Sequence, residues 1–292
     1  MSLASAVLLA AVLDPRIPPL LERVTEEARV FTEKSPRFLG VEKLTQKGRV
    51  APPRFRLRKG VADTEAPTIA YRTTELVSEY GFGYLPALPG QLKEMRVVVS
   101  VNGRAVRDRA QTRLALSEGM SSDFERLNKQ MLQDMESYGL VGAVIDVGQI
   151  LLLFSRSQLN DLELSVLRDT TLDGEAIAVL GYRQTGDESA TIYHKQTARL
   201  PLEGELWIRR SDGLPVRVTS SLSLKEGKYS VVHSFAVDYA PSEHGVLLPS
   251  KITYSRRQDS VLMVETEAAY TDYKMFSAEA EIKFVAEGDQ PQ

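Results

Sequence analysis

The chain has 292 residues, 43% of them hydrophobic and 26% charged, which is the balance of an ordinary globular protein and excludes a disordered or multi-span membrane chain. Its 36 basic and 39 acidic side chains leave a formal charge of -3, so there is no general attraction to nucleic acid. Without cysteine it has no disulfide, thiolate–metal site, cysteine nucleophile or lipid-bearing cysteine.

Leu3 to Leu13 is an uncharged apolar run with the length of a signal-peptide core, too short to cross a bilayer. Residues 1–13 therefore read as an export-signal remnant, although no Lys or Arg precedes the run; the competing reading is a buried amino-terminal segment. Leu20, Leu21, Val24, Ala28 and Phe31 then recur at helical spacing, opened by Pro18 and Pro19 and closed by Pro36. Extended stretches follow at Arg54–Arg58 and Tyr71–Phe82. Met95–Val101, Asn102-Gly103 and Arg104–Val106 spell a hairpin, because Asn-Gly suits the left-handed backbone of a two-residue turn.

Ser122 and Glu125 have capping-box spacing ahead of a second amphipathic helix with Phe124, Leu127, Met131, Met135 and Tyr138 on its apolar stripe and Gly139 as its C-cap. Gly142–Gln158 is expected to be helical as well. From Leu162 the pattern turns to strands: 162–167, 176–184, 190–194, 205–210, 215–222, 229–239, 250–255 and 262–273. Turn signals separate them at Asp173-Gly174, Gly186-Asp187, Asp212-Gly213, Glu226-Gly227 and His244-Gly245. The expected product is an α+β, mostly β domain over residues 14–284, an antiparallel meander packed on amphipathic helices, with a disordered tail at 285–292. No segment is long and apolar enough for a transmembrane helix, so an integral membrane protein is not expected.

No catalytic constellation appears. His194, His233 and His244 are scattered, and H-E-x-x-H, G-x-S-x-G, S-x-x-K, the P-loop and G-x-G-x-x-G are all absent. His233 alternates with Val231, Phe235 and Val237 and reads as a satisfied sheet histidine. A non-enzymatic protein without metal or cofactor is the expectation.

Gly204-Glu205-Leu206-Trp207-Ile208, running through Ser211-Asp212-Gly213-Leu214-Pro215 to Arg217, resembles a hairpin of the LolA-like lipoprotein-carrier superfamily. Phe235–Tyr239 with His244-Gly245 and Leu248-Pro249 resembles the hairpin that follows it there. Val41-Glu42-Lys43, the stretch Arg96–Arg109, and Tyr270, Tyr273 and Phe276 are similar to elements of exported acidobacterial proteins of that kind. The resemblance implies a strongly curved antiparallel sheet, a half-barrel closed by helices, in the periplasm or cell envelope. It also implies one of two roles: a carrier holding a lipid or lipoprotein acyl chain, or a sensor that binds an envelope protein.

Two sets of residues bear on that choice. Met131, Met135, Trp207, Phe235, Tyr239 and Tyr254 either line a ligand cavity or are plain core between helix and sheet. The basic run Lys47, Arg49, Arg54, Arg56, Arg58 and Lys59 either meets lipid headgroups or an acidic partner, or keeps an edge strand from aggregating. Nucleic acid is not an expected partner. Arg104, Arg107, Asp108, Arg109 and Arg113 read as a surface ion-pair network.

Overall fold

The fold is that of a computed structural model, which describes residues 14–50, 69–84, 92–122, 124–140, 147–185, 192–194 and 198–275. The export-signal run, the extended stretch at 54–58, the Gly186-Asp187 turn and the polar tail lie outside these residues. α1 (Ile17–Lys34) carries proline at its start, where a missing N–H costs nothing, and stops before Pro36. It buries Ile17, Leu21, Val24, Ala28 and Phe31, a stripe at alternating steps of four and three.

The strands are β1 (Phe38–Arg49), β2 (Tyr71–Tyr84), β3 (Leu92–Val101) and β4 (Arg104–Ala105), then β5 (Leu162–Leu172) and β6 (Glu175–Gln184). A two-stranded ribbon, β7 (Ile192–His194) and β8 (Ala198–Leu200), intervenes. β9 (Glu203–Arg209), β10 (Pro215–Glu226), β11 (Tyr229–Pro241), β12 (Leu247–Gln258) and β13 (Val261–Met275) complete the set. Eleven of them form one curved, unclosed antiparallel sheet in the order β4-β3-β2-β1-β13-β12-β11-β10-β9-β6-β5. The chain runs out to one edge at β4, crosses through helices to the other edge at β5, and meanders back. Its last strand, β13, then pairs with its first, β1.

Turn chemistry sets the hairpins. Asn102 and Gly103 both have positive φ, as do Asp173 and Gly174. Both pairs match the two-residue turns expected from sequence. Asp259 and Ser260 make the same kind of turn without glycine, with φ of 46° and 68°. Gly204 answers a different need. A Cβ there would lie 1.9 Å from the Thr219 carbonyl oxygen, so the close approach of β9 to β10 admits no side chain.

The crossover departs from expectation. Two helices precede the sheet's second half, α2 (Arg109–Ser122) and α3 (Phe124–Ser137), so Ser122 ends α2 where a cap for one helix was expected. Asp108 caps α2, accepting the Gln111 backbone N–H at 2.9 Å. Within the expected helix over 142–158 there is a short 3₁₀ turn, Ile150–Phe154, and residues 142–146 of that stretch are not among those described.

The sheet separates two layers. α1 and the 3₁₀ turn cover the inner face, where Leu44, Leu76, Val218, Val237 and Ile252 join Leu151 and Phe154 in the main core. α2 and α3 pack on β2 and β3. They meet the outer face, because Glu79, which α2 grips, alternates with the inward Ser78 and Tyr80.

Candidate functional site

The inner face holds a charged knot. Arg96 on β3 donates Nε–H to Glu42 on β1 (3.1 and 3.2 Å) and Nη2–H to Glu94 (2.8 Å). The Tyr270 hydroxyl donates to Glu42 Oε1 at 2.9 Å, and the Gly148 backbone N–H donates to Glu94 Oε1. All three charged side chains are buried. Burial works against the Arg96 charge, but Glu42 and Glu94 outweigh it and hold the guanidinium well above its ordinary value. Burial also pushes the Tyr80 and Tyr270 phenols well up.

Beside this knot lies a chamber of about 40 Å³, lined by Gln46, Arg96, Tyr254, Thr266 and Tyr270 among others. A water needs roughly 10–15 Å³ of such space, whereas ligand pockets run to about 300–1,000 Å³. The chamber is therefore solvent-sized. What fills the rest is the segment Val147–Phe154: Tyr239 accepts the Leu151 N–H at 3.1 Å and donates to the Gly148 carbonyl at 2.8 Å.

The six residues expected around one cavity are dispersed. Tyr239 sits in the main core as that anchor. Phe235 points into the core from β11, and Tyr254 lies opposite it on β12, its hydroxyl 2.9 Å from His233 Nδ1. Burial pushes the Tyr254 phenol up to about 12. Met131 and Met135 are buried on α3 against β3, outside the main core cluster and on the outer side of the sheet. Trp207 also faces outward, between the buried Leu206 and Ile208. Its Nε1–H donates to Glu205 at 2.9 Å, and the Arg168 and Arg217 guanidiniums lie 5.5 and 5.4 Å from its ring centre. Strand alternation and the helical crossover assign these residues to opposite faces of the sheet.

An open groove of about 760 Å³ crosses the outer face. Two rows of directly opposed residues wall it. One row runs Thr45, Glu267, Thr253, Ala236, Thr219, Glu205; the other runs Thr73, Lys47, Glu265, Ser255, Ser234, Ser221. Gly204, Ser220, Phe235, Tyr254 and Thr266 lie between the rows, so the floor is the backbone of those residues while their side chains serve the inner face. Seven strands contribute, and six steps of about 4.8 Å give a length of roughly 29 Å. Among the described residues, only Thr219 of the seven hydroxyls in these rows has a protein hydrogen bond, accepting the Glu205 N–H at 3.2 Å. Glu205 is fixed by Arg168 at 2.7 and 2.9 Å, which lowers its carboxyl from the ordinary value. Lys251 holds Glu267 at 3.0 Å.

Sequence reading missed this groove. Its local signal is a hydroxyl at every second position, as in Thr219 and Ser221 or Thr253 and Ser255, but the rows exist only through register across strands distant in sequence. Of the basic run, Arg49 ends β1 with Nη1 3.5 Å from Met263 Sδ, and the Lys47 ammonium lies 4.9 Å from the Tyr71 ring centre. Arg54, Arg56, Arg58 and Lys59 lie outside the described residues. The expected network after the hairpin is a structural clamp. Arg109 and Arg113 each reach the fully buried Glu79 at 2.6 Å, and Arg107 ties Asp134 on α3 at 3.0 Å. Among the described residues no group of three His, Asp or Glu side chains could hold a metal ion, and no helix is long and apolar enough to cross a membrane.

No family model and no curated protein sequence matches the chain. Among solved structures it is similar to a LolA superfamily protein from Nitrosomonas europaea, at 12% identity over 90% of this chain and 96% of that one, with a TM-score of 0.31. It is also similar to a DUF1329 family protein from Desulfovibrio piger, at 9% identity over 92% of this chain and 99% of that one, with a TM-score of 0.33. Superposition at this level says nothing of the site, which is argued from its own geometry.

Proposed function

We propose that this LolA-like chain is an exported, non-catalytic binding module of the bacterial envelope that works with a filled interior and engages its ligand on the outer face of the sheet. One observation carries the reading: the chamber beside the inner-face knot holds about 40 Å³, against about 760 Å³ in the open groove. A long acyl chain enclosed by the sheet would need the Val147–Phe154 segment to leave. Such a departure breaks the hydrogen bonds to Glu94 and Tyr239 and exposes five buried apolar side chains. Each of these is worth about 1.5–3 kcal/mol in burial. Among the described residues of the inner face, Arg96, Glu42, Glu94 and Tyr270 are engaged with one another, which favours a binding role over a catalytic one. Export rests on the apolar run at residues 3–13.

The test is native mass spectrometry of protein purified from a bacterial periplasm, followed by solvent extraction and lipid analysis. A ligand-free mass is expected. A near-stoichiometric acyl species would overturn the filled-interior reading and restore the carrier role. Absence of the protein from the periplasmic fraction would overturn the export assignment.

A further inference from the structure

The two rows of the outer groove carry a specific chemistry. Their walls present short hydroxyls, among them Thr219, Ser221, Ser234, Thr253 and Ser255, six of the seven without a partner among the described residues. Each hydroxyl is one donor and two acceptor positions, so a row of them pairs best with a ligand that repeats the same group. Charge narrows the class. Glu205 is paired with Arg168 and Glu267 with Lys251, and Glu265 stands directly opposite Lys47, so the groove has no surplus of cations with which to hold a phosphate or sulfate polymer. The walls have no large apolar side chain, which removes the pockets that a peptide or acyl ligand needs. Trp207, at the Glu205 end, has both guanidiniums against its ring and its N–H committed. The groove is open along roughly 29 Å of cross-strand direction, which suits an extended polymer over a compact solute.

We infer that the outer groove binds an extended glycan built of neutral or amino sugars. The inference rests on the reading that the outer face is the working face, and it names the ligand class. Sugar hydroxyls exchange hydrogen bonds with the Ser and Thr rows, and the carboxylates accept from hydroxyl or ammonium groups along the chain.

The full-length protein is applied to a glycan array of neutral, amino and anionic oligosaccharides, and hits are titrated by calorimetry and by amide chemical-shift mapping. Neutral or amino hexamers are expected to bind, with shifts confined to β9–β13, β1 and β2. The double variant Ser234→Ala and Thr253→Val, which keeps strand-compatible side chains, is expected to bind at least tenfold more weakly. The conservative variant Thr253→Ser is expected to retain binding. No glycan hit, hits confined to anionic glycans, shifts away from these strands, or undiminished binding by a folded double variant would each overturn the inference. Should the double variant not fold, the shift map of the wild-type chain decides alone. A lipid-free protein that binds no glycan removes only this inference; a lipid-loaded one removes the filled-interior reading as well.

Discussion

Arg96 lies between two carboxylates with less than a fiftieth of its surface in contact with water, so its contribution to stability depends on keeping all three partners. Arg96→Met keeps much of the volume but leaves Glu42 and Glu94 buried without a cation. A loss of about 3–5 kcal/mol in urea unfolding is expected. Adding Glu42→Gln and Glu94→Gln removes the orphaned charges and should return most of that loss. If the single and triple variants unfold alike, the knot is not held by charge. Glu27 gives a pH-dependent counterpart. It is buried on α1 beside Arg23, 2.5 Å away, and burial raises its carboxyl above the usual 4.5, with Arg23 only partly opposing. A raised acid is bound more tightly to its proton in the folded state. Its contribution is therefore greatest at low pH and is lost as pH rises from about 4.5 through the folded value. Glu27→Gln should gain on wild type across that window, read as urea midpoints at stepped pH. A gap that stays constant with pH would contradict it. Arg96 and Glu42 were visible in sequence only as parts of the resembling motifs, since their meeting depends on β1–β2–β3 register, which no local pattern reports.

Elements with a strong local signal were legible and those held by distant partners were not. α1 follows from its alternating apolar stripe, and the hairpins follow from Asn102-Gly103 and Asp173-Gly174. α2 has no such stripe: Leu116 is buried while Leu114 is largely exposed, and what anchors the helix is Arg109 and Arg113 on Glu79. The apolar stretch around Gly148 looked helical, yet its Gly148 and Leu151 N–H groups are taken by Glu94 and Tyr239, which an α-helical ladder would not release. The groove rows repeat the lesson across β2, β1, β13, β12, β11, β10 and β9. The α2 anchor yields a prediction at this scale. Glu79→Gln removes the buried anion that two guanidiniums share, so hydrogen exchange over residues 109–137 should quicken while β10–β13 keep their protection. Uniform loss of protection would mean that the helix pair is integral to the main core, and unchanged exchange would mean that the clamp is idle.

On the scale of the whole molecule, one sheet serves two environments, and the sequence alternates accordingly from Val218 and Phe235 inward to Thr219 and Ser234 outward. The inner face is completed from within the chain, by α1 and by the 3₁₀ turn that inserts Phe154 edge-on against Tyr182, with ring centres 5.3 Å apart. If that turn is integral filling, removing its largest ring should leave a hole that the surroundings cannot close. Phe154→Ala is then expected to cost about 3–5 kcal/mol. The space it opens lies among Leu, Ile and Tyr side chains and should stay dry, taking up xenon or benzene as apolar engineered cavities do. Xenon-induced shifts at core methyl groups in the variant, and none in wild type, are the expected pair of results. Xenon or fatty-acid uptake by wild type would mean that the inner face already has room for an apolar guest, and the case for the outer groove as the working face would lose its footing. A variant that folds at wild-type stability would mean that the turn rests on the sheet without filling it, and an acyl chain could then take its place at little cost.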